Sequence, residues 1–308
     1  MNEIKLFSPA TVANLSCGFD VLGLCLDTIG DEIVIRKTNK KGIYITIIEG
    51  HYVPTQTSKN VAGVAAQAIY EQLNLDYGFE IELYKNIKPG SGIGSSSASA
   101  LGAVFGINEL TGNKFSKHDL IAFAMKGEAV ASGNEHADNL APGLFGSMTL
   151  IRSYAPLDII EIPTPKNLFI SIIHPQVEIK TSESRAVLSD TVLLKKAIQQ
   201  WGNLGGLIAG MYKQDFELIG RSLEDVIVEP ARAKLIPHFE ETKESAMKAG
   251  ALGFGISGSG PSMFALCEGL KKAKRVEKAF SVSYKETGIA YHTYVSKINK
   301  KGIKIVSE

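Results

Sequence analysis

Neither sign of charge is in excess, and no apolar run approaches the thickness of a bilayer. Thirty-three basic residues face thirty-two acidic ones, a formal charge of +1, so the chain as a whole carries no electrostatic footprint for nucleic acid or an anionic membrane surface. An anionic ligand must therefore be met by local groups. Cysteine is scarce: Cys17, Cys25 and Cys267 form no C-x-x-C pair, and three in 308 residues argue against a disulfide framework and for a reducing, cytoplasmic setting. The opening residues hold no basic stretch followed by an apolar segment of signal length. The longest early apolar run, Val21 to Leu26, is far short of the ~20 residues that span a membrane.

Familiar catalytic markers are missing too. The six histidines, His51, His118, His136, His174, His238 and His292, show no i, i+4 or other short pairing, which argues against a zinc site. No G-x-S-x-G elbow occurs, which argues against Ser/His/Asp hydrolysis. Glycine is abundant, yet in the run Gly90 to Gly94 no lysine follows Gly94 as a Walker A loop requires, and the pattern is G-x-G-x-G where the dinucleotide fingerprint needs G-x-G-x-x-G.

What is present is a 44% hydrophobic, 21% charged chain of ordinary globular composition, long enough for two domains. β-branched runs at Glu32 to Arg36 and Ile43 to Ile48, separated by the polar turn Asn39 to Gly42, predict a hairpin. Apolar spacing predicts a helix from Asn60 to Leu73, Phe79 to Leu83 reads as a strand, and a second helix should run from Ser95 to about Leu110. Ser116, with Asp119 behind it, predicts the cap of a helix ending near Ser132, followed by a polar loop from Gly133 to Gly143. Pro163 and Pro165 read as a linker, which divides the chain into residues 1–163 and 164–308. Later strands and helices interleave without strict βαβ alternation, so the expected class is α+β.

Between strand and helix stands Lys88, Pro89, Gly90, Ser91, Gly92, Ile93, Gly94, Ser95, Ser96, Ser97. Alternating glycines let a backbone approach a polyphosphate and take up positive φ, while the helix that follows points free N–H groups and a partial positive charge at the anion. The segment reads as a phosphate cradle. Two further segments join it. Pro9 to Gly23 sets Asn14 and Asp20 among small and apolar residues, where they either cap a turn or meet a cationic ligand group. Gly253 to Phe264 is a second glycine-rich turn between two strands.

Taken together and in this order, the three segments resemble the signature motifs of the GHMP kinases. The likeness is greatest to the homoserine kinase branch, through Pro9 to Asp20, through His136, Ala137, Asp138, Asn139, Leu140, Ala141 and Pro142, and through Thr181 with Arg185. Departures are small: Ile93 where the family usually has Leu, Ser97 for Ala, Ser262 for Thr, and Pro89 one place late. The resemblance implies a ribosomal-protein-S5-like N-terminal domain joined to a ferredoxin-like C-terminal one, and ATP-dependent phosphorylation of the side-chain hydroxyl of L-homoserine with Mg²⁺. It implies a cytoplasmic homodimer with no nucleic-acid or membrane partner.

Residue by residue, the resemblance gives the triphosphate to Lys88 through Ser96 and the metal ion to Ser96 and Glu128. Arg185 and Arg232 become a carboxylate clamp, and Asp20 the partner of the α-ammonium. Asn14, Thr181, His136 and Gly258 line the acceptor pocket, and Asn139 orients the hydroxyl beside a structural Asp138. At Asn60 a contact to the adenine stands beside plain helix capping. For Glu128 the other reading is a solvated helical carboxylate, and for His136 a loop histidine bonded to backbone.

Overall fold

The computed structural model describes residues 1–133 and 135–307. The chain opens with β1 (Glu3–Ala13) and β2 (Leu22–Thr38), antiparallel neighbours in which Ile4 lies opposite Ile35 and Leu6 opposite Ile33. β3 (Ile43–Gly50), α1 (Val61–Tyr70) and β4 (Gly78–Lys85) follow, then α2 (Ser95–Leu110), α3 (Lys117–Ser132) and the short α4 (Leu140–Phe145). β5 (Met148–Tyr154) and β6 (Leu157–Ile162) complete this half. The second half runs through β7 (Leu168–Pro175), α5 (Thr181–Ala186), α6 (Leu194–Lys213), α7 (Phe216–Ser222), α8 (Glu229–Arg232) and α9 (Phe239–Lys248). It ends with β8 (Gly253–Ile256), β9 (Met263–Glu268), α10 (Leu270–Lys285), β10 (Tyr291–Lys297) and β11 (Lys304–Ser307).

Two sheets result. The first has the order β11-β1-β2-β4-β3, with β5 joined to both β2 and β6; the second is β10-β7-β9-β8. The expected hairpin between Glu32–Arg36 and Ile43–Ile48 does not form: β3 lies parallel to β4, with Ile43 beside Phe79 and Ile45 beside Ile81, and β4 takes the place next to β2. Burial explains the order. Phe79, Ile81 and Leu83 on alternate positions of β4 are fully buried, whereas β3 is largely exposed and suits an edge. The predicted polar loop is shorter than expected, because Leu140–Phe145 is helical and its first five residues are buried.

Helices α1 and α2 cover one face of the first sheet and α3 packs on both helices, so that Ile33, Ile35 and Ile81 share one core with Ala62, Ala103 and Ala124. α2 is buried on nearly every side, which accounts for its Ala, Gly and Ser composition. A Cβ at Gly102 or Gly106 would stand 2.0 and 2.5 Å from the Cδ1 atoms of Ile33 and Ile35, so these glycines set how closely helix and sheet approach. In the second sheet β7 is buried on both faces: Phe169 and Ile173 pack with α9 and α10, while Ile170 and Ile172 pack with α6 and with Val12 and Leu24 of the first sheet. That shared core fixes the two sheets against each other. All three glycine-bearing segments meet beside it.

Candidate active site

The floor of the site is a buried ion pair. The β2–β4 register pairs Glu32 with Tyr84, which brings Asp31 and Lys85 together just beyond that pair, and Lys85 Nζ donates to the Asp31 carboxylate, to Ser95 O (2.9 Å) and to Ser99 Oγ (2.8 Å). Asp31 Oδ1 in turn accepts from the N–H groups of Asn86 (2.8 Å) and Ile87 (2.9 Å). Burial lowers the Lys85 pKa and raises that of Asp31, and each opposes the other's shift. The pair anchors both the chain entering the glycine-rich loop and the first turn of α2.

The loop itself is built for close approach. Gly90, Gly92 and Gly94 have φ of 74°, 82° and 74°, the left-handed region that favours glycine. A Cβ on Gly94 would lie 2.2 Å from Thr11 Oγ1, and one on Gly92 would lie 2.7 Å from the carbonyl oxygens of Ser257 and Gly260. The third motif grips the loop from behind: Ser257 Oγ donates to Gly92 O (2.7 Å) and Ser262 Oγ to Ser91 O (2.5 Å). Lys88 Nζ donates to Gln176 Oε1 (2.8 Å), Ser95 Oγ to Ile87 O (2.8 Å), and Thr11 N to the carbonyl of Ile93 (3.2 Å). Pro89 and Gly90 are exposed. Gly94 caps α2 with no side-chain acceptor, so the helix presents its opening amides to the loop's open side.

Ser96 and Glu128 meet there. Ser96 Oγ donates to Glu128 Oε2 (3.1 Å), and the carboxylate is buried between α2 and α3. Burial pushes the Glu128 carboxyl up to about 7, against the hydroxyls of Ser96 and Ser97 and the charge of Lys85. The solvated-carboxylate reading is therefore set aside. A hydroxyl and a carboxylate are the hard oxygen donors that suit Mg²⁺, which takes one or two protein ligands and completes its shell with water and phosphate oxygens. Among the described residues no group of three or more His, Cys, Asp or Glu side chains could hold a metal.

Across the loop lies a second cluster. Arg185 on α5 donates through Nη2 to both carboxylate oxygens of Asp20 (2.7 and 3.0 Å) and contacts His136 Nε2 (2.9 Å), while its buried Nε has no partner. Because guanidinium only donates, His136 Nε2 must accept, so the ring is neutral with its proton on Nδ1. Burial lowers the His136 pKa, and Arg185 adds to that effect while Asp20 opposes it. Arg232 is buried, donating through Nε to Ser184 O and through Nη1 to Gly258 O (both 3.0 Å). Asn14 Nδ2 reaches the same Gly258 carbonyl (2.8 Å), and Asn14 Oδ1 holds the Asp20 N–H (3.0 Å).

Asn14, Leu15 and Ser16 take φ of 72°, 43° and 63°. This backbone costs of order 1–2 kcal/mol per non-glycine residue, and it is what carries the chain round to aim Asp20 at Arg185. Both arginines lie over the Phe19 ring, at 5.4 and 4.8 Å from its centroid, where the ring face offsets the repulsion between two neighbouring cations. Asn14, Ser16, Arg232 and Gly258 line one cavity. Thr181 is the first residue of α5, four positions before Arg185. Asn60 caps α1, accepting from Ala62 N (2.9 Å) and Gly63 N (3.3 Å) and donating to Pro54 O (2.6 Å); in this geometry its amide is engaged with the helix and the preceding turn.

Asp138 and Asn139 diverge. Asn139 Oδ1 accepts from Thr11 Oγ1 (2.7 Å) beside Gly94, facing the loop. Asp138 Oδ1 accepts from the Asn139 N–H (3.1 Å). Burial, then the charges of Asp20 and Glu128, pushes the Asp138 carboxyl up to about 7 from 3.8. A folded-state pKa above the unfolded one means that the native protein holds this proton more tightly, so its stabilising contribution is present below about pH 4 and lost as pH rises to about 7. Asp138→Asn should raise the melting temperature of the ligand-free protein by about 2 °C or more at pH 8, and by distinctly less at pH 5, where part of the wild-type contribution is still present. A variant destabilised at pH 8 would show the charged form to be favoured in the fold.

This geometry has known counterparts. The family model described as the GHMP kinases N terminal domain matches residues 60–147, and that described as GHMP kinases C terminal matches residues 207–286. A homoserine kinase of Chlorobium phaeobacteroides is 43% identical over 99% of this chain and 100% of its own length. The chain belongs to the GHMP kinase family. A homoserine kinase of Chlorobaculum tepidum is 42% identical over 100% of this chain and 99% of its own. The crystal structure of homoserine kinase from Cytophaga hutchinsonii superposes with a TM-score of 0.96 at 47% identity, covering 99% of this chain and 98% of that one. In GHMP kinase terms, the α+β architecture and the order of the three motifs are as expected, and the third motif is the clasp of the glycine-rich loop. The motifs did not disclose Lys85, Asp31 or Phe19. A charged pair facing inward on adjacent strands would have been the signal for the first two, visible only once β2 and β4 are paired.

Proposed function

We propose that this chain transfers the γ-phosphoryl group of ATP to the side-chain hydroxyl of L-homoserine, giving O-phospho-L-homoserine for threonine synthesis in the cytoplasm. The observation that carries this reading is the Asp20–Arg185 pair, 2.7 Å apart, with Arg232 beside it and the glycine-rich loop adjacent. A zwitterionic amino acid matches it group for group: its ammonium replaces Arg185 against Asp20, and its carboxylate takes the guanidinium so released, including the unpartnered Nε. Arg232, held by two carbonyls, adds a second positive charge. Neither a sugar nor an uncharged polyol uses this arrangement.

Phosphoryl transfer asks for alignment and charge neutralisation more than covalent chemistry. The amides and serines of residues 88–96 hold the triphosphate. Ser96 and Glu128 hold Mg²⁺, which when bound neutralises charge on the phosphate oxygens. Asn139, fixed by Thr11, orients the acceptor hydroxyl toward the loop, and a loose transition state needs no dedicated carboxylate base.

Binding of analogues tests the acceptor site. Calorimetric titration should find 4-hydroxybutanoate, which lacks the ammonium, and 3-aminopropan-1-ol, which lacks the carboxylate, each at least about 30-fold weaker than L-homoserine, because each leaves one half-buried charge of the Asp20–Arg185 pair unmatched. Arg185→Lys should raise the homoserine KM about tenfold or more with the ATP KM within about twofold. Weakening of ATP instead would move Arg185 to the phosphate side.

A further inference from the structure

We infer, on the reading that Lys88 belongs to the triphosphate site, that His174 and Gln176 at the end of β7 are positioning residues for the nucleotide: His174 fixes the Gln176 amide, and Gln176 holds the Lys88 ammonium at the entrance to the glycine-rich loop. Lys88 stands two positions before Gly90, the first glycine of that loop with positive φ. A lysine has a flexible four-carbon stem, and one left unheld loses its rotamer freedom at the moment an anion binds. A side chain already held loses less, which is how preorganisation raises affinity.

The hydrogen bonds can run in one direction only. An ammonium donates and never accepts, so the Gln176 atom 2.8 Å from Lys88 Nζ is the amide oxygen. That orientation turns Nε2 the other way, where its two hydrogens meet His174 Nδ1 and His174 O, each at 3.1 Å. His174 Nδ1 must therefore accept, which makes the ring neutral with its proton on Nε2. The surroundings favour the same state. His174 is buried on β7 opposite His292 of β10, and burial, then Lys88, His292 and His51, lowers its pKa to about 4. Both ends of the amide are thus engaged, and its plane is fixed. The backbone is held separately, since Gln176 N donates to Ala290 O (2.7 Å), so the side chain serves Lys88 and not the path of the chain. The nature of the acceptor matters too. A neutral amide oxygen takes one of the three ammonium hydrogens and cancels none of the charge, leaving the rest for a phosphate oxygen, whereas a carboxylate here would have neutralised it.

Gln176→Met keeps the length of the side chain and removes the acceptor; it should raise the ATP KM about five- to tenfold with kcat and the homoserine KM within about twofold. Gln176→Asn, too short to bridge both partners, should show the same split. Lys88→Met should weaken ATP at least as much, and adding Gln176→Met to it should cost nothing further, because Gln176 acts through Lys88. Imidazole nitrogen shifts supply a readout that a merely structural glutamine would not move: His174 should be the Nε2–H tautomer alone in the wild type and a mixture of tautomers in Gln176→Met. Unchanged ATP affinity in Lys88→Met would take Lys88 out of the nucleotide site, and the inference with it. Weakened ATP in Lys88→Met with normal ATP in both Gln176 variants would leave that reading standing and overturn the inference. So would tighter ATP in Gln176→Met, which would make Gln176 a competitor for Lys88, or full additivity in the double variant.

Discussion

Glu128→Gln is expected to lower kcat by at least about a hundredfold while leaving the fold intact. The change preserves size and the capacity to accept from Ser96 (3.1 Å), but it removes the only charge that this pair offers a divalent cation. The group is buried and its protonation is already raised to about 7, so a neutral amide is tolerated by the packing. The loss thus falls on stabilisation of transition-state charge and not on folding. Steady-state rates at saturating ATP and homoserine across a Mg²⁺ series would measure it, alongside the unfolding midpoint. Near-normal turnover at ordinary Mg²⁺ would take Glu128 out of the metal site.

Lys85→Met should be the most damaging change to stability, about 3–5 kcal/mol by urea unfolding, because it strands the Asp31 carboxylate with no counter-charge in a site where both side chains are at most 1% exposed. Asp31→Asn combined with Lys85→Met should recover part of that loss, since the amide oxygen can still accept from Asn86 and Ile87. A loss below about 1 kcal/mol for the single variant would mean that water reaches the pair, and that it does not hold the loop.

These two residues also mark the limit of what a sequence discloses. The glycine-rich loop, the helix beginning at Ser95 and the capping box of Ser116 with Asp119 were legible because their signals are local: glycine where φ is positive, small residues where backbones approach, an acceptor where amides are free. The pairing of Asp31 with Lys85 is non-local. It depends on β4 and not β3 lying beside β2, a choice made by which strand buries more apolar surface on the helices, and a hairpin reading of β2 and β3 hides it. The acceptor cluster was legible as residue types from the resemblance, but the direct contact of Arg185 with Asp20 and His136 was not, since it joins α5 to two loops far apart in sequence. Glu128 occupied a middle position: its helix was predictable, and its burial was decided by α2 packing against α3.

The measurement that bears most directly on the whole account is ADP release with MgATP and, in turn, L-homoserine, mevalonate and galactose, with the phosphorylated product identified by mass. Turnover with L-homoserine alone, yielding the O-phospho ester, is the predicted result. Faster turnover with mevalonate or galactose, or no turnover with homoserine in a protein that binds both ATP and homoserine, would contradict it.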